Sequence, residues 1–396
     1  MKLTLRQQIT QFAHVLQVGL FPVLDEELGE LSEPARRLVA TLEMVPLARF
    51  VPSSRGWIGR PSKDRLAIAS AFVAKAVYGF STTRHLLDAL DSDAQLRRIC
   101  GWKEARQVPH EATFSRAFDE FARMELPQFV HETLIRETQQ DRLIGHIIRD
   151  STAIEARERF PDKPIPASAS KVVPAAPGKR GRQPGRRGPH KRHPGCKPKY
   201  TPKADTRMHR QRNMSLSEML ADLPGDCSLG VKTSNDGNQK SWRGYKLHLD
   251  VGDGQIPISG ILTAASLHDS QAAIPLATMT AQRVTSLYDV MDAAYDATEI
   301  MDHSRSLGHV PIVRPVKRKL KQIPFQSREE YQTSREFTWA EEDRFRERTT
   351  VERVNARLKD EFGGREIRVR GARKIMAHLM FGVLALTVDQ ILKLVG

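Results

Sequence analysis

The sequence predicts an α/β protein: an all-helical N-terminal domain, a core built on a sheet, and a basic insertion inside that core. Three observations predict it. Apolar residues recur at helical spacing up to about residue 137. After residue 138, short β-branched apolar runs alternate with helical patterns. Between Lys171 and Arg212, 14 Lys and Arg stand against one acid, Asp205, in a stretch without apolar periodicity.

Residues 1–137 form the helical domain. From Lys63 to Leu90 the apolar positions Leu66, Ile68, Ala69, Phe72, Val73, Ala76 and Val77 mark one helix. Gly79-Phe80-Ser81 breaks the pattern, and Ser81 or Thr82 caps the next helix. A further helix starts at Pro109 to Thr113. Short helices with exposed Arg84, Arg97, Arg98 and Arg116 suit a helix-turn-helix-like DNA reader, and equally a packing or dimerisation bundle.

Residues 138–156 and 240–362 supply the sheet-based core. Leu143 to Thr152 reads as a strand that Asp150 interrupts near its C-terminal end. A buried strand rarely carries an Asp without a partner or a task. Trp242 to Gly252 and Ile256 to Ser266 alternate as a hairpin turning at Asp253-Gly254. His268-Asp269-Ser270 then begins a helix, with Asp269 as its cap rather than part of a metal shell. Ser286 to Asp296 is a strand and turn, and Asp292 is preferred over Asp289 and Asp296 because it directly ends the apolar run. A helix to about Leu307, a short strand at His309 to Pro315 and a charged connector, Val316 to Asp343, follow. Trp339 or Tyr331, in or beside that connector, pack locally or stack a base.

Phe345 to Lys359 reads as one helix, free of Gly and Pro. At about 100° per residue, Phe345, Arg348, Glu352 and Lys359 share an arc of roughly 60°. Val351, Val354, Leu358 and Phe362 form an apolar stripe about 110° away. One face anchors the helix and its neighbour presents a carboxylate between two cations. Residues 363–396 are a basic extended segment and an apolar helix that packs on the sheet or a partner subunit.

Residues 157–239 are the basic, Pro/Gly-rich insertion. Its segment from Lys171 to Arg212 carries +13 of the chain's net +15, so the rest is nearly neutral and the charge is a local tool. Lys179, Arg180, Arg182, Arg186, Arg187, Lys191 and Arg192 are spaced by Gly and Pro that let the chain follow a phosphate backbone. Double-stranded DNA is the expected partner, because no amphipathic apolar face accompanies the charge as a membrane would require. His190, His193 and Cys196 lack the paired spacing of a zinc motif. Three scattered cysteines argue for a reducing compartment. The N-terminus lacks the order of a signal peptide, and the most apolar run, Leu379 to Val388, is short for a bilayer. A soluble, cytoplasmic protein without a membrane partner is expected.

The order strand, insertion, strand, strand, helix, strand, helix, strand, helix is the layout of a ribonuclease-H-like fold. There the first and fourth strands are neighbours, so Asp150, Asp292 and Glu352 converge across the 142 and 60 positions that separate them. Three carboxylates so placed repel one another, and hard divalent cations, Mg2+ or Mn2+, resolve the repulsion. Two such ions suit phosphoryl displacement, with Arg348 and Lys359 as phosphate clamps.

Phe345, Arg348, Glu352 and Lys359 match the Tyr-x2-Arg-x3-Glu-x6-Lys signature of bacterial insertion-sequence DDE transposases, with Phe in place of Tyr. Val290-Met291-Asp292-Ala293-Ala294-Tyr295-Asp296 resembles that family's second-aspartate turn, and Arg149-Asp150-Ser151-Thr152 its first-aspartate strand. Trp242 to Lys246 is similar to its second strand, and Gly59 to Leu90 to its N-terminal helical domain. The resemblance implies metal ligation by Asp150, Asp292 and Glu352, cleavage at transposon ends, transfer of the 3′-hydroxyl into target DNA, and at least a homodimer in the working complex. A ribonuclease-H-like nuclease without strand transfer, or a catalytically silent DNA-binding descendant, are the competing readings.

Overall fold

A computed structural model describes residues 4–51, 63–158, 206–233, 238–315 and 337–394. The basic run Lys179, Arg180, Arg182, Arg186, Arg187, Lys191, Arg192 lies outside these residues, as do His190, His193, Cys196 and Tyr331.

The N-terminal part is helical. Helices α1 (Leu5–His14), α2 (Phe21–Leu28), α3 (Glu33–Met44) and α4 (Leu47–Phe50) lead to α5 (Arg65–Val77), which is buried along almost its whole length. Asp64 caps α5 by accepting from the Leu66 and Ala67 amides. Gly79, at φ +66°, turns the chain back toward α6 (Thr83–Ser92). Of the two expected caps it is Thr82 that serves, its Oγ1 accepting from the His85 amide at 3.0 Å. Then come α7 (Ala94–Ile99), α8 (Glu111–Arg123) and α9 (Leu126–Gln139). Arg97, expected at the surface, instead donates to the Leu90 and Asp91 carbonyls and so satisfies the C-terminus of α6.

Strand β1 (Leu143–Glu155) carries Asp150. The expected irregular stretch is regular from Arg207 onward. It contains α10 (Arg207–Gln211), α11 (Leu216–Asp222) and β2 (Ser228–Thr233). A capping box of Ser215 and Glu218 starts α11. Strands β3 (Gln239–Gly252) and β4 (Ile256–Ala264) form the hairpin, followed by α12 (Ala273–Ala281), β5 (Thr285–Met291), α13 (Thr298–Ser306) and β6 (Val310–Val313). The sheet runs β2-β3-β1-β5-β6, with β4 also paired to β3. Pairs β1–β3 and β3–β4 are antiparallel, and β1–β5 and β5–β6 are parallel. The path β4-β3-β1-β5-β6 is consistent with the layout expected from the sequence, with β2 added.

The helix expected over Phe345 to Lys359 is two helices, α14 (Trp339–Arg346) and α15 (Thr349–Asp360). The Arg348 amide bonds Phe345 and the Thr350 amide bonds Glu347, three residues back rather than four, so the turn tightens while the backbone stays right-handed. Phe345 is held in this turn by Phe337, 5.3 Å away, and by the Arg314 guanidinium, 4.6 Å from its centroid.

The last helix, α16 (Ala372–Lys393), is the hub. It packs on α3, α5, α8, α9 and α15 and on β4. Around it one apolar cluster joins Phe72 and Phe118 of the helical part to Leu247, Leu249 and Val354 of the sheet part. At 22 residues α16 is long and apolar enough to cross a membrane, which the ten-residue run read from the sequence had not suggested. Its apolar window is 78% buried inside the fold, as a core helix requires.

Candidate active site

Strand alternation sends the residues around Asp150 to two different faces. Arg149 faces one side, opposite Asp250 in the β1–β3 register. Its guanidinium makes a bidentate pair with that carboxylate at 2.8 and 2.7 Å, and Thr280 donates to the same carboxylate at 2.7 Å. Arg149 is 1% exposed and Asp250 0%. Burial opposes the Arg149 charge, but Asp250 and Asp289 hold its pKa above the ordinary value. Asp289 is engaged on the same side, accepting from Ser304 Oγ at 2.6 Å and lying 3.3 Å from His309 Nδ1.

Asp150 faces the other side, with Leu249 as its register partner on β3. The parallel register of β1 and β5 runs to Arg149 opposite Met291. Continued by one residue, it sets Asp150 beside Asp292, on strands that lie roughly 4.8 Å apart. Asp292 ends β5 and caps the next turn, its Oδ1 accepting from the Ala294 amide at 2.8 Å. Burial first, then Asp292 and Asp269, push Asp150 up to about 6. Burial and Asp269 likewise raise Asp292.

Glu352 stands in the first turn of α15, whose Val351, Val354 and Leu358 anchor it on this face of β1 and β3. Its carboxylate is exposed and paired with Arg348 at 2.9 Å. Arg348 also acts electrostatically on Asp292, so it stands between the helix carboxylate and the strand pair. Lys359 lies near Glu155, Lys240 and Arg365, its pKa lowered by burial and then by those two cations. Asp150 and Asp292 are thus brought together, Glu352 is turned to Arg348, and Lys359 sits at the far end of α15. Among the described residues no group of three or more His, Cys, Asp or Glu side chains is gathered closely enough to hold a metal ion.

Two members of this neighbourhood escaped the sequence reading. Asp269 was expected to cap a helix, but His268 takes that place. Asp269 turns inward, to Lys246 Nζ at 2.9 Å and to Ser151. Burial opposes its charge, but Lys246, His248 and Ser151 together hold the carboxyl below its usual range. The half-buried Lys246 in β3 was the signal, since a cation drawn into a strand's interior calls for a carboxylate. The second is Tyr295, 1% exposed, on the turn that Asp292 caps and that packs on the turn carrying Asp269. Its hydroxyl is buried without a hydrogen-bond partner. Burial, then Asp269, Asp150 and Asp292, raise its pKa well above the ordinary value.

Residues 206–388 match the family model described as Transposase DDE domain. That stretch is similar to a transposase domain. Residues 24–120 match a second model, Transposase domain (DUF772), which covers most of the helical part. The DDE match contains Asp292 and Glu352 and begins after Asp150. No curated protein and no solved structure matches this chain.

The donor set fits a hard divalent cation in its chemistry. It offers carboxylate oxygens only, two of them on neighbouring strands with their pKa values raised by burial first and by nearby carboxylates after it. The orphaned Tyr295 hydroxyl beside them is a donor awaiting an acceptor, such as a water or carboxylate ordered when the site is loaded.

Proposed function

We propose that this protein is a DDE transposase that cleaves DNA at transposon ends and joins the freed 3′-hydroxyl to target DNA. The reading is supported above all by the β1–β5 register, which, continued by one residue beyond Arg149 and Met291, sets Asp150 beside Asp292 on the face that the Glu352 helix covers. Asp150, Asp292 and Glu352 would hold Mg2+ or Mn2+, two ions in the working site. Bound there, such ions supply the Lewis acidity that an in-line phosphoryl displacement needs.

The protein's own residues account for the rest. Arg348 keeps Glu352 neutralised until a DNA phosphate claims the guanidinium, and the released carboxylate then turns to the aspartate pair. Lys359 clamps a second phosphate. Phe345 keeps the ring packing of the signature position without a hydroxyl contact. On this reading residues 138–156 and 240–362 are the ribonuclease-H-like core. Residues 1–137 bind DNA or dimerise, and the basic run from Lys179 to Arg192 adds sequence-independent affinity. Handling two ends calls for a homodimer or larger complex.

The test is Mg2+-dependent joining of labelled end DNA to a target plasmid. Asp292→Ala should abolish joining and leave DNA binding intact. Cleavage without joined product would support a plain nuclease, and binding without either would support a silent descendant.

A further inference from the structure

A second polar site lies away from the carboxylates. Helices α5, α6 and α8, the start of α16, and the connector between α15 and α16 enclose a cavity of about 40 Å³. Stacked rings of Phe72 and Phe381, 5.9 Å apart, form part of its wall. Its polar lining includes Lys75, Thr82, Thr83 and Arg368.

Lys75 is 8% exposed. Among the described residues its ammonium has neither a hydrogen bond nor an ion pair. Burial pulls its pKa down to about 8, against the attraction of Glu366, whose carboxylate is engaged with Arg368 at 3.4 Å. An ammonium in an apolar wall without a partner costs several kcal/mol. No carboxylate is among the described residues that line the cavity with it. Thr82 is the N-cap of α6, a ten-residue helix, and the first-turn amides of Thr83 and Arg84 have no partner within the helix. That terminus carries the positive end of the helix dipole. A buried lysine, an arginine and a helix N-terminus therefore converge on one small space. Volume decides the class of ligand. One water centre needs about 10–15 Å³, so the cavity accepts roughly three oxygen-sized centres: the oxygens of a phosphoryl group, and no sugar or base.

We propose that this cavity is a phosphate-binding site in which Lys75, Arg368 and the N-terminal amides of α6 receive one phosphoryl group, from the DNA backbone or from a free phosphate. It does not depend on the carboxylate site. The test is thermal melting of the full chain against inorganic phosphate at constant ionic strength. Wild type should show a saturable rise in melting temperature. Lys75→Met should lose that rise while melting no lower than wild type without phosphate, since an unpaired buried cation has been removed. Arg368→Gln, at the rim, should shift the midpoint of the phosphate titration upward several-fold. Duplex binding separates the two sources. A several-fold loss of affinity in Lys75→Met, with the salt slope reduced by about one, assigns the site to the DNA backbone. Unchanged duplex affinity alongside the lost phosphate response assigns it to a free phosphate. No saturable response in wild type, a full response in Lys75→Met, or an unfolded Lys75→Met with a normal response in Arg368→Gln would each overturn the proposal.

Discussion

Asp250→Ala should be among the most destabilising single changes in the sheet. It removes both hydrogen bonds that the Arg149 guanidinium donates to Asp250, at 2.8 and 2.7 Å, in a site that water does not reach. Breaking a buried pair from one side costs about 3–5 kcal/mol, a large share of the roughly 5–15 kcal/mol that holds a typical domain folded. Asp289 remains within electrostatic reach of Arg149, which places the expected loss near the lower end, about 3 kcal/mol. The double variant Arg149→Met/Asp250→Leu replaces the pair by apolar groups and should recover most of the loss. It leaves the Thr280 hydroxyl without its acceptor, which costs about 1 kcal/mol. Urea denaturation of wild type, both single variants and the double variant gives the coupling energy directly. A loss under about 1 kcal/mol for Asp250→Ala, or a double variant as unstable as the sum of the singles, would refute the claim that this pair is a closed, mutually dependent unit.

Other outcomes follow from the same coordinates. Tyr295→Phe removes a buried hydroxyl that has no partner, so without divalent metal it should unfold no more easily than wild type. Its Mn2+-induced rise in melting temperature should fall, and an undiminished rise would detach Tyr295 from the site. His131 and His248, both fully buried, have pKa values depressed to about 3 and about 4, by burial above all. Their contribution is complete above the unfolded value near 6.5 and is lost as pH falls toward the folded values, because only the unfolded chain takes up the protons. At pH 5.5 each should cost about 1.4 kcal/mol, and His131→Gln should lower the acid loss in a urea series by about that amount. Arg348→Ala should retain metal-dependent stabilisation and weaken binding of end DNA, measured by fluorescence anisotropy, with a shallower salt dependence. A loss of metal response instead would make Arg348 part of the metal environment rather than a phosphate clamp.

Much of the sheet was legible because alternation and chain order act locally. Asp292 is preferred over Asp289 from the sequence because it ends an apolar run; Asp289 accepts from Ser304 and lies beside His309 on the opposite face. The break at Glu347-Arg348 was not legible. It contains no Gly or Pro, its backbone dihedrals remain helical, and what tightens it is the distant grip of Arg314 and Phe337 on Phe345. The inward turn of Asp269 was hidden for a related reason. A short polar residue before an apolar helix reads as a cap, and only the position of Lys246 on a neighbouring strand shows that His268 must take the cap instead. Strand β2 was masked by composition, since its six residues lie close to a stretch dominated by Lys, Arg, Gly and Pro.

Arg149 and Asp150 are consecutive residues, and the strand sends them to opposite faces where the same electrostatic problem is treated differently. On the Arg149 side every strong charge is answered within the fold: the guanidinium by Asp250, Asp250 also by Thr280, and Asp289 by Ser304 and His309. On the Asp150 side, among the described residues, neither Asp150 nor Asp292 makes an ion pair, and Lys232 and Arg348 act on them only through space. A fold able to set a guanidinium 2.8 Å from one buried carboxylate does not leave two others exposed to each other for lack of means. Burial first, and neighbouring carboxylates after it, raise both pKa values, so on the proposed reading the Asp150 side is the one that would receive positive charge from outside the chain. The Arg348–Glu352 pair fits the same logic, since it keeps a third carboxylate neutral and outside the cluster while no such charge is present.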